Sequence, residues 1–335
     1  MVYLGGEMQT QIDLFNNEQT FKGNTDDLNL IIGDALEKLK EIPSESVDLI
    51  IADPPYNIGK DYGNSKDNLS HEHYLEFSRN WLTEAKRVLK KDGTIYIYMG
   101  MKFISYVYQI LEQELGLEFN SWITWYYTQG IGKTKGFSPR HDDILMFTKS
   151  TKYKFYLDDI KIPQKYYRQR NNMRGANPGN VWEFSHVHYS EKNRQEHPTQ
   201  KPEGLMERMI LASTREGDVV LDPFLGSGTT MRVAQILKRK CIGIEMNEEY
   251  ADMINSRLNA PFYGFDSMDM RSKRIPLDLR KEDIRIDYLV NHIDWFFKNH
   301  ESEISTFKDE IIKMYGKDTL EKVFKEYKIK KALSS

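Results

Sequence analysis

The chain has 335 residues, of which 39% are apolar, 29% charged and 12% aromatic, with a formal net charge of −3. The length suits one large α/β domain with additions or two domains, and the aromatic content, mostly 20 Tyr and 16 Phe, excludes fibrous, low-complexity and wholly disordered classes. The single cysteine, Cys241, excludes a disulfide framework or a cysteine-based zinc cluster and fits a reducing, cytoplasmic setting, no apolar run approaches a membrane span, and a polyanionic partner would need a local basic patch.

Residues 1–27 read as an irregular polar lead. LNLIIG (28–33) and VDLIIA (47–52) are nearly continuous apolar runs, as in strands of a parallel sheet covered on both faces, and ALEKLKEI (35–42) between them has helical spacing, which gives a βαβ unit. The alternation continues with a helix over 71–91, a strand at 94–99, a helix over 102–115, and strands at 122–127 and 144–149. Segment 150–196 breaks the pattern: it has little apolar periodicity, concentrates Lys and Arg, and reads as an insertion. The pattern returns with a helix over 202–214, a strand at 218–222, a glycine loop, a helix over 229–238, a strand at 240–245 and a helix over 248–258. After Pro261, helical stretches at 288–298, 303–314 and 318–331 offer Trp295, Phe296, Phe297 and Phe307 for packing. The whole predicts an α/β fold with a mostly parallel, doubly wound sheet. Its divisions are a lead (1–27), a first half (28–149), an insertion (150–196), a second half (197–260) and a helical extension (261–335).

Two segments point to chemistry, each at the carboxyl end of a predicted strand, where open α/β sheets bind ligands. Asp53-Pro54-Pro55-Tyr56 follows the strand 47–52. On local grammar it is as readily a turn. As a site, its prolines remove backbone donors, leaving the Asp53 carboxylate and the Pro54 carbonyl as acceptors for an amino group with two hydrogens, while Tyr56 offers a face for a planar ring. The second segment is Asp222-Pro223-Phe224-Leu225-Gly226-Ser227-Gly228-Thr229, with Glu245 ending the next strand, placed as an acid that accepts hydrogen bonds from ribose hydroxyls. No Lys follows the last glycine, so a nucleoside-bearing cofactor without a triphosphate fits better than a P-loop ligand.

These residues resemble the amino-group DNA methyltransferases that use S-adenosylmethionine, in the order that places the catalytic motif before the glycine motif. The resemblance covers about 28–258 and rests on Gly33-Asp34, Asp53 to Tyr56, His197-Pro198-Thr199-Gln200-Lys201-Pro202 and Asp222 to Thr229, including the Phe224-x-Gly226-x-Gly228 pattern. It implies a Rossmann-like methyltransferase fold and S-adenosylmethionine as cofactor. Asp53 and Pro54 would hold the target amine beside Pro55, with Tyr56 stacked on an extruded base. Asp34 and Ala35 would lie at the cofactor adenine and Glu245 at its ribose. Asp53, Asp222, Pro223, Phe224, Gly226, Ser227, Gly228 and Thr229 would surround the cofactor, and Lys201-Pro202 would close its pocket. An Asp opening the tetrapeptide is mostly associated with adenine, and a Ser with the cytosine amino group. The resemblance also implies DNA as substrate and admits a homodimer and a cognate restriction endonuclease as partners.

The residue chemistry agrees. An exocyclic amine is a poor nucleophile because its lone pair is delocalised into the ring, and preorganised acceptors that draw on its N–H bonds stabilise the transition state. Methylation at a cytosine carbon needs a cysteine nucleophile, whereas Cys241 sits in an apolar strand. The target base must leave the stack to be reached, and the insertion is the natural reader of DNA, with Lys165 for phosphates and Arg168, Arg170, Asn171, Asn172 and Arg174 of the types that contact base edges. Against this stand a solvated basic loop, a catalytically silent DNA-binding protein of the same fold, a cytosine-N4 enzyme and a methyltransferase acting on a protein glutamine amide. His71-Glu72-His73 has poor metal spacing, so no metal is expected. His186 and His188 read as surface or DNA-contact residues, and the charged tail as a solvated bundle face.

Overall fold

The computed structural model describes residues 27–59, 67–127, 132–162, 175–187, 200–262, 282–299 and 304–334. The apolar runs become strands of one eight-stranded sheet: β1 (Leu28–Ile32), β2 (Val47–Ala52), β3 (Leu89–Met99), β4 (Glu118–Tyr126), β5 (His141–Thr148), β6 (Val181–Glu183), β7 (Val219–Asp222) and β8 (Lys240–Glu245), in the order β1-β8-β7-β2-β3-β5-β4-β6. All pairings are parallel except β3 with β5 and β5 with β4, as the alternating pattern predicts. The first βαβ unit has a wider span than its sequence suggests. Its strands are parallel but not neighbours, because β8 and β7 lie between β1 and β2. Segment 150–196 contributes β6, the edge strand beside β4.

Side chains alternate across the sheet with the period of two that a strand imposes. Ile50, Ala52, Ile95, Ile97 and Met99 face one layer, where α1 (Ala35–Glu41), α2 (His71–Val88) and α3 (Ile104–Gln109, prolonged by a π-helical turn Ile110–Glu114) supply Leu39, Trp81, Leu82, Val107 and Leu111. Leu49, Ile51, Tyr96 and Tyr98 face the other, against Leu205, Met209, Val233 and Ile254 of α4 (Glu203–Ser213), α5 (Thr229–Ile236) and α6 (Glu249–Asn259). Ser70 caps α2 by accepting from the His73 N–H, and Lys86 and Arg87 complement the helix dipole in its last turn. The helix ends at Val88 rather than 91, because Leu89 already pairs with Val47; Lys90 to Gly93 then bulge before Thr94 resumes opposite Leu49.

The bulge serves Asp48, which is fully buried at the amino end of β2 and accepts from Lys90 Nζ at 2.7 Å, Lys154 Nζ at 2.8 Å and the Val219 N–H at 2.9 Å. Burial pushes the Asp48 pKa up, but hydrogen bonds from Lys154, Lys90 and Val219 outweigh it and hold the carboxyl below its ordinary value. Because the folded pKa is depressed, the stabilisation is present above the unfolded carboxylate value and is lost as pH falls through the folded one. Asp48→Ala is therefore expected to cost about 3 kcal/mol at neutral pH, with the gap from the parent narrowing in acid. Urea unfolding measures both, and a loss under about 1 kcal/mol contradicts the assignment.

Beyond the sheet, α7 (Glu282–Asn299), α8 (Ile304–Tyr315) and α9 (Lys317–Ser334) share a core of Leu289, Ile293, Phe307, Ile311 and Val323, with Phe297 stacked on Tyr327 at 5.5 Å. The side chains of Trp295 and Phe296 lie outside the described residues. Among the described residues, no helix is long and apolar enough to cross a membrane.

Candidate active site

Strands β2 and β7 are parallel neighbours, with Leu49 beside Val220 and Ile50 beside Leu221. From β2 the chain steps to β3 on one side, while β7 is reached on the other. Their carboxyl ends therefore open a crevice at a topological switch point. Asp53 and Asp222 emerge there side by side although they are far apart in sequence.

The crevice holds a cavity of about 370 Å³, within the range of small-molecule sites. Of the residues singled out from sequence, Asp34, Ala35, Asp53, Pro55, Lys201, Asp222, Pro223, Phe224, Gly226, Ser227, Thr229 and Glu245 line it. Pro54, Tyr56, Pro202 and Gly228 do not. Gly226 and Gly228 have φ of 53° and 75°, in the left-handed region that favours glycine, and a Cβ on Gly228 would stand 3.1 Å from Ile254. The loop is pinned at both ends: the Leu225 N–H donates to the Ile244 carbonyl, and the Gly226 N–H to Glu245 Oε2 at 2.8 Å. Glu245 Oε1 accepts from the Asn247 N–H, and Gly33 donates to the Glu245 carbonyl. Asp34 caps α1 through the Leu36 N–H. Burial raises the Glu245 pKa, and burial with the neighbouring Asp53 and Glu245 charges lifts Asp222 to about 7, against hydrogen bonds from Thr230 and the Phe224 N–H.

At the other end, Asp53 Oδ1 accepts from the Tyr56 hydroxyl at 2.7 Å, and Oδ2 accepts from Lys201 Nζ at 2.6 Å. Lys201 is nearly buried and lies over the rings of Tyr56 and Tyr98, 5.6 and 5.2 Å from their centroids. The resemblance assigns Lys201 to the cofactor segment; here its ammonium sits on the Asp53 carboxylate. The tetrapeptide is braced by α2, since the Tyr74 hydroxyl donates to the Pro55 carbonyl at 2.7 Å. Asn57 exchanges hydrogen bonds with the Leu69 backbone. Trp81 holds the Phe224 ring edge-on at 5.3 Å.

Sequence reasoning missed Asn57, Asp67, Leu69, Tyr74, Phe77 and Tyr250 among the lining residues, and Arg257 beneath it. Buried Arg257 donates to the Ser227 carbonyl, to Thr229 Oγ1 and to Glu203 Oε1, at 2.9, 2.8 and 2.9 Å. It thus ties the glycine loop to the start of α4. A charged residue one turn from a helix end carries no signal of this. His186 is half-buried against Tyr127 and Trp125, at 4.0 and 4.9 Å, and burial lowers its pKa. His188, His197 to Thr199 and the DNA-reading candidates Lys165, Arg168, Arg170, Asn171, Asn172 and Arg174 lie outside the described residues. No cluster of metal-ligating side chains occurs among the described residues.

The lining is acidic, with five carboxylates from Asp34, Asp53, Asp67, Asp222 and Glu245 against Lys201. Such a set of acceptors fits a ligand that combines hydroxyls with positive charge, as S-adenosylmethionine does. The chain is 63% identical over 297 residues to the Type II methyltransferase M.HpaI of Haemophilus parainfluenzae, covering 88% of this chain and 95% of that one. It is 40% identical over 266 residues to the DNA adenine methyltransferase YhdJ of Escherichia coli, covering 75% and 90%. Among solved structures it is similar to the M1.HpyAVI–SAM complex, with a TM-score of 0.52 at 26% identity over 70% of this chain and 100% of that one. The fold alone is shared with the cytosine-N4-specific PvuII DNA methyltransferase, with a TM-score of 0.56 at 21% identity over 69% and 93%. The DNA methylase profile matches residues 47–256, from β2 into α6 and so across both halves of the crevice; the chain belongs to the DNA methylase family.

Proposed function

We propose that the protein transfers a methyl group from S-adenosylmethionine to the exocyclic N6 amine of adenine in a defined DNA sequence, after the base is extruded from the duplex. The observation that carries this reading is one continuous cavity with Asp53 at one end and the glycine loop and Glu245 at the other. The cofactor supplies an electrophilic methyl on a sulfonium leaving group. The protein aligns the reactants and accepts hydrogen bonds from both amine hydrogens; as the N–C bond forms and the S–C bond breaks, one of these protons is released to water and the other stays on the methylated amine. Asp53 and the Pro54 carbonyl are the acceptors, and the arriving amine displaces Lys201 from Oδ2 or shares that oxygen with it. The Asp that opens the tetrapeptide, with the E. coli relative named for adenine, favours adenine over the cytosine amino group. The 150–196 segment, with Lys165, Arg168, Arg170, Asn171, Asn172 and Arg174, remains the proposed reader of DNA. Buried, reduced Cys241 fits a cytoplasmic enzyme, and a second copy of the chain and a cognate restriction endonuclease are the partners the family likeness admits.

Digesting methylated DNA to nucleosides and weighing them tests the choice of base. N6-methyladenine is expected, and N4-methylcytosine would overturn it. The acidic lining adds a pH dependence. A cationic cofactor favours ionised Asp222, whose pKa stands at about 7, so cofactor affinity should rise about tenfold from about pH 6 to about pH 8. Titration calorimetry should show that rise in the parent and a flat profile in Asp222→Asn; a flat profile in the parent refutes the coupling.

A further inference from the structure

Strand β3 turns two tyrosines toward the same layer, and their hydroxyls fare differently. Tyr96 meets Ser213 Oγ at 3.1 Å. Tyr98, one step nearer the carboxyl edge, is fully buried, and its hydroxyl has no hydrogen-bond partner among the described residues. Burying an unpaired hydroxyl is costly, and phenylalanine would fill the same space without that cost. The hydroxyl thus works against stability at a place where the register of Ala52 with Ile97 sets Tyr98 level with Asp53, just past the end of the neighbouring strand.

Its surroundings are those of the target site. Lys201 Nζ lies over the Tyr98 ring and within 2.6 Å of Asp53, so an amine that takes the ammonium's place on Asp53 brings its own ring up to Tyr98. Trp125 packs edge-on behind Tyr98, with centroids 6.4 Å apart and planes at 89°. Asp53, Asp142 and Asp222 are all within electrostatic reach, and burial with these charges keeps the phenol protonated and therefore a donor.

We propose that Tyr98 is a specificity-determining residue of the target site, whose hydroxyl donates a hydrogen bond to the ring nitrogen flanking the amine of the extruded base. This rests on the methyl-transfer reading above. In adenine and in cytosine the ring nitrogen beside the amine-bearing carbon is an acceptor, whereas guanine and thymine carry an N–H beside their carbonyl. An acceptor at Asp53 and a donor at Tyr98 therefore match an amine paired with a bare nitrogen and reject the bases that present the reverse pattern.

The test crosses the protein variant with the substrate. Parent and Tyr98→Phe are assayed on duplexes carrying the methylated sequence with adenine, 1-deazaadenine or 7-deazaadenine at the target. Tyr98→Phe is expected to unfold at the same or a higher denaturant concentration than the parent and to lose about tenfold in kcat/KM on adenine. 1-Deazaadenine should cost the parent a similar factor and the variant nothing further, while 7-deazaadenine costs neither, which separates a contact with that nitrogen from a general disturbance. An undiminished rate on adenine, or the same tenfold loss on all three substrates, overturns the proposal. If the parent methylates cytosine instead, the choice of adenine fails by itself, and the same comparison with 3-deazacytosine decides the role of Tyr98.

Discussion

Asp53→Ala is expected to slow methyl transfer by about 10³-fold while cofactor affinity stays within about threefold. The variant removes the carboxylate that anchors Lys201 and Tyr56 and that would draw on the amine hydrogens, but it leaves the glycine loop and its link to Glu245 untouched. Asp53→Asn keeps one acceptor oxygen and should retain more activity than alanine. Single-turnover transfer measured with labelled cofactor, beside the cofactor Kd, separates the two ends of the cavity. Transfer within about fivefold of the parent would remove Asp53 from the catalytic role.

Arg257→Met should have the largest effect on stability, a loss of about 3–5 kcal/mol. Arg257 and Glu203 are only 3% and 4% exposed in their side chains, and deleting the cation takes from a buried carboxylate the guanidinium that lies 2.9 Å from it. The same change frees Ser227 and Thr229 from their donor, so cofactor binding should weaken along with the fold. Combining it with Glu203→Gln should recover part of the stability, because the buried carboxylate that lost its guanidinium is gone as well. Denaturant unfolding of the singles and the double measures this coupling, and additive losses would show that the pair is not a unit.

Much of this architecture is legible in the residues because strands and helices write themselves as local periods. VDLIIA is apolar but for Asp48 because β2 is buried on both faces, and the glycine loop is readable because positive φ limits the choice of residue. The Asp-Pro-Pro-Tyr segment is readable because prolines leave few conformations. What sequence does not show is adjacency. Nothing in 28–52 says that β7 and β8 separate β1 from β2, and the partnership of Arg257 with Glu203 spans helices that meet only after the sheet is assembled. The end of α2 at Val88 is set by the pairing of Leu89 with Val47, a tertiary fact. Tyr98 reads as one more strand aromatic. Its interest lies in a hydroxyl with no hydrogen-bond partner among the described residues, which shows only in the folded chain.

The most direct test of the account is a crystal structure of the protein with an S-adenosylmethionine analogue in which an amino group replaces the transferable methyl. The account predicts the analogue in the crevice between β2 and β7, its ribose hydroxyls on Glu245 and its substituting amine facing Asp53. An analogue bound elsewhere, or turned so that this amine points away from Asp53, would contradict it.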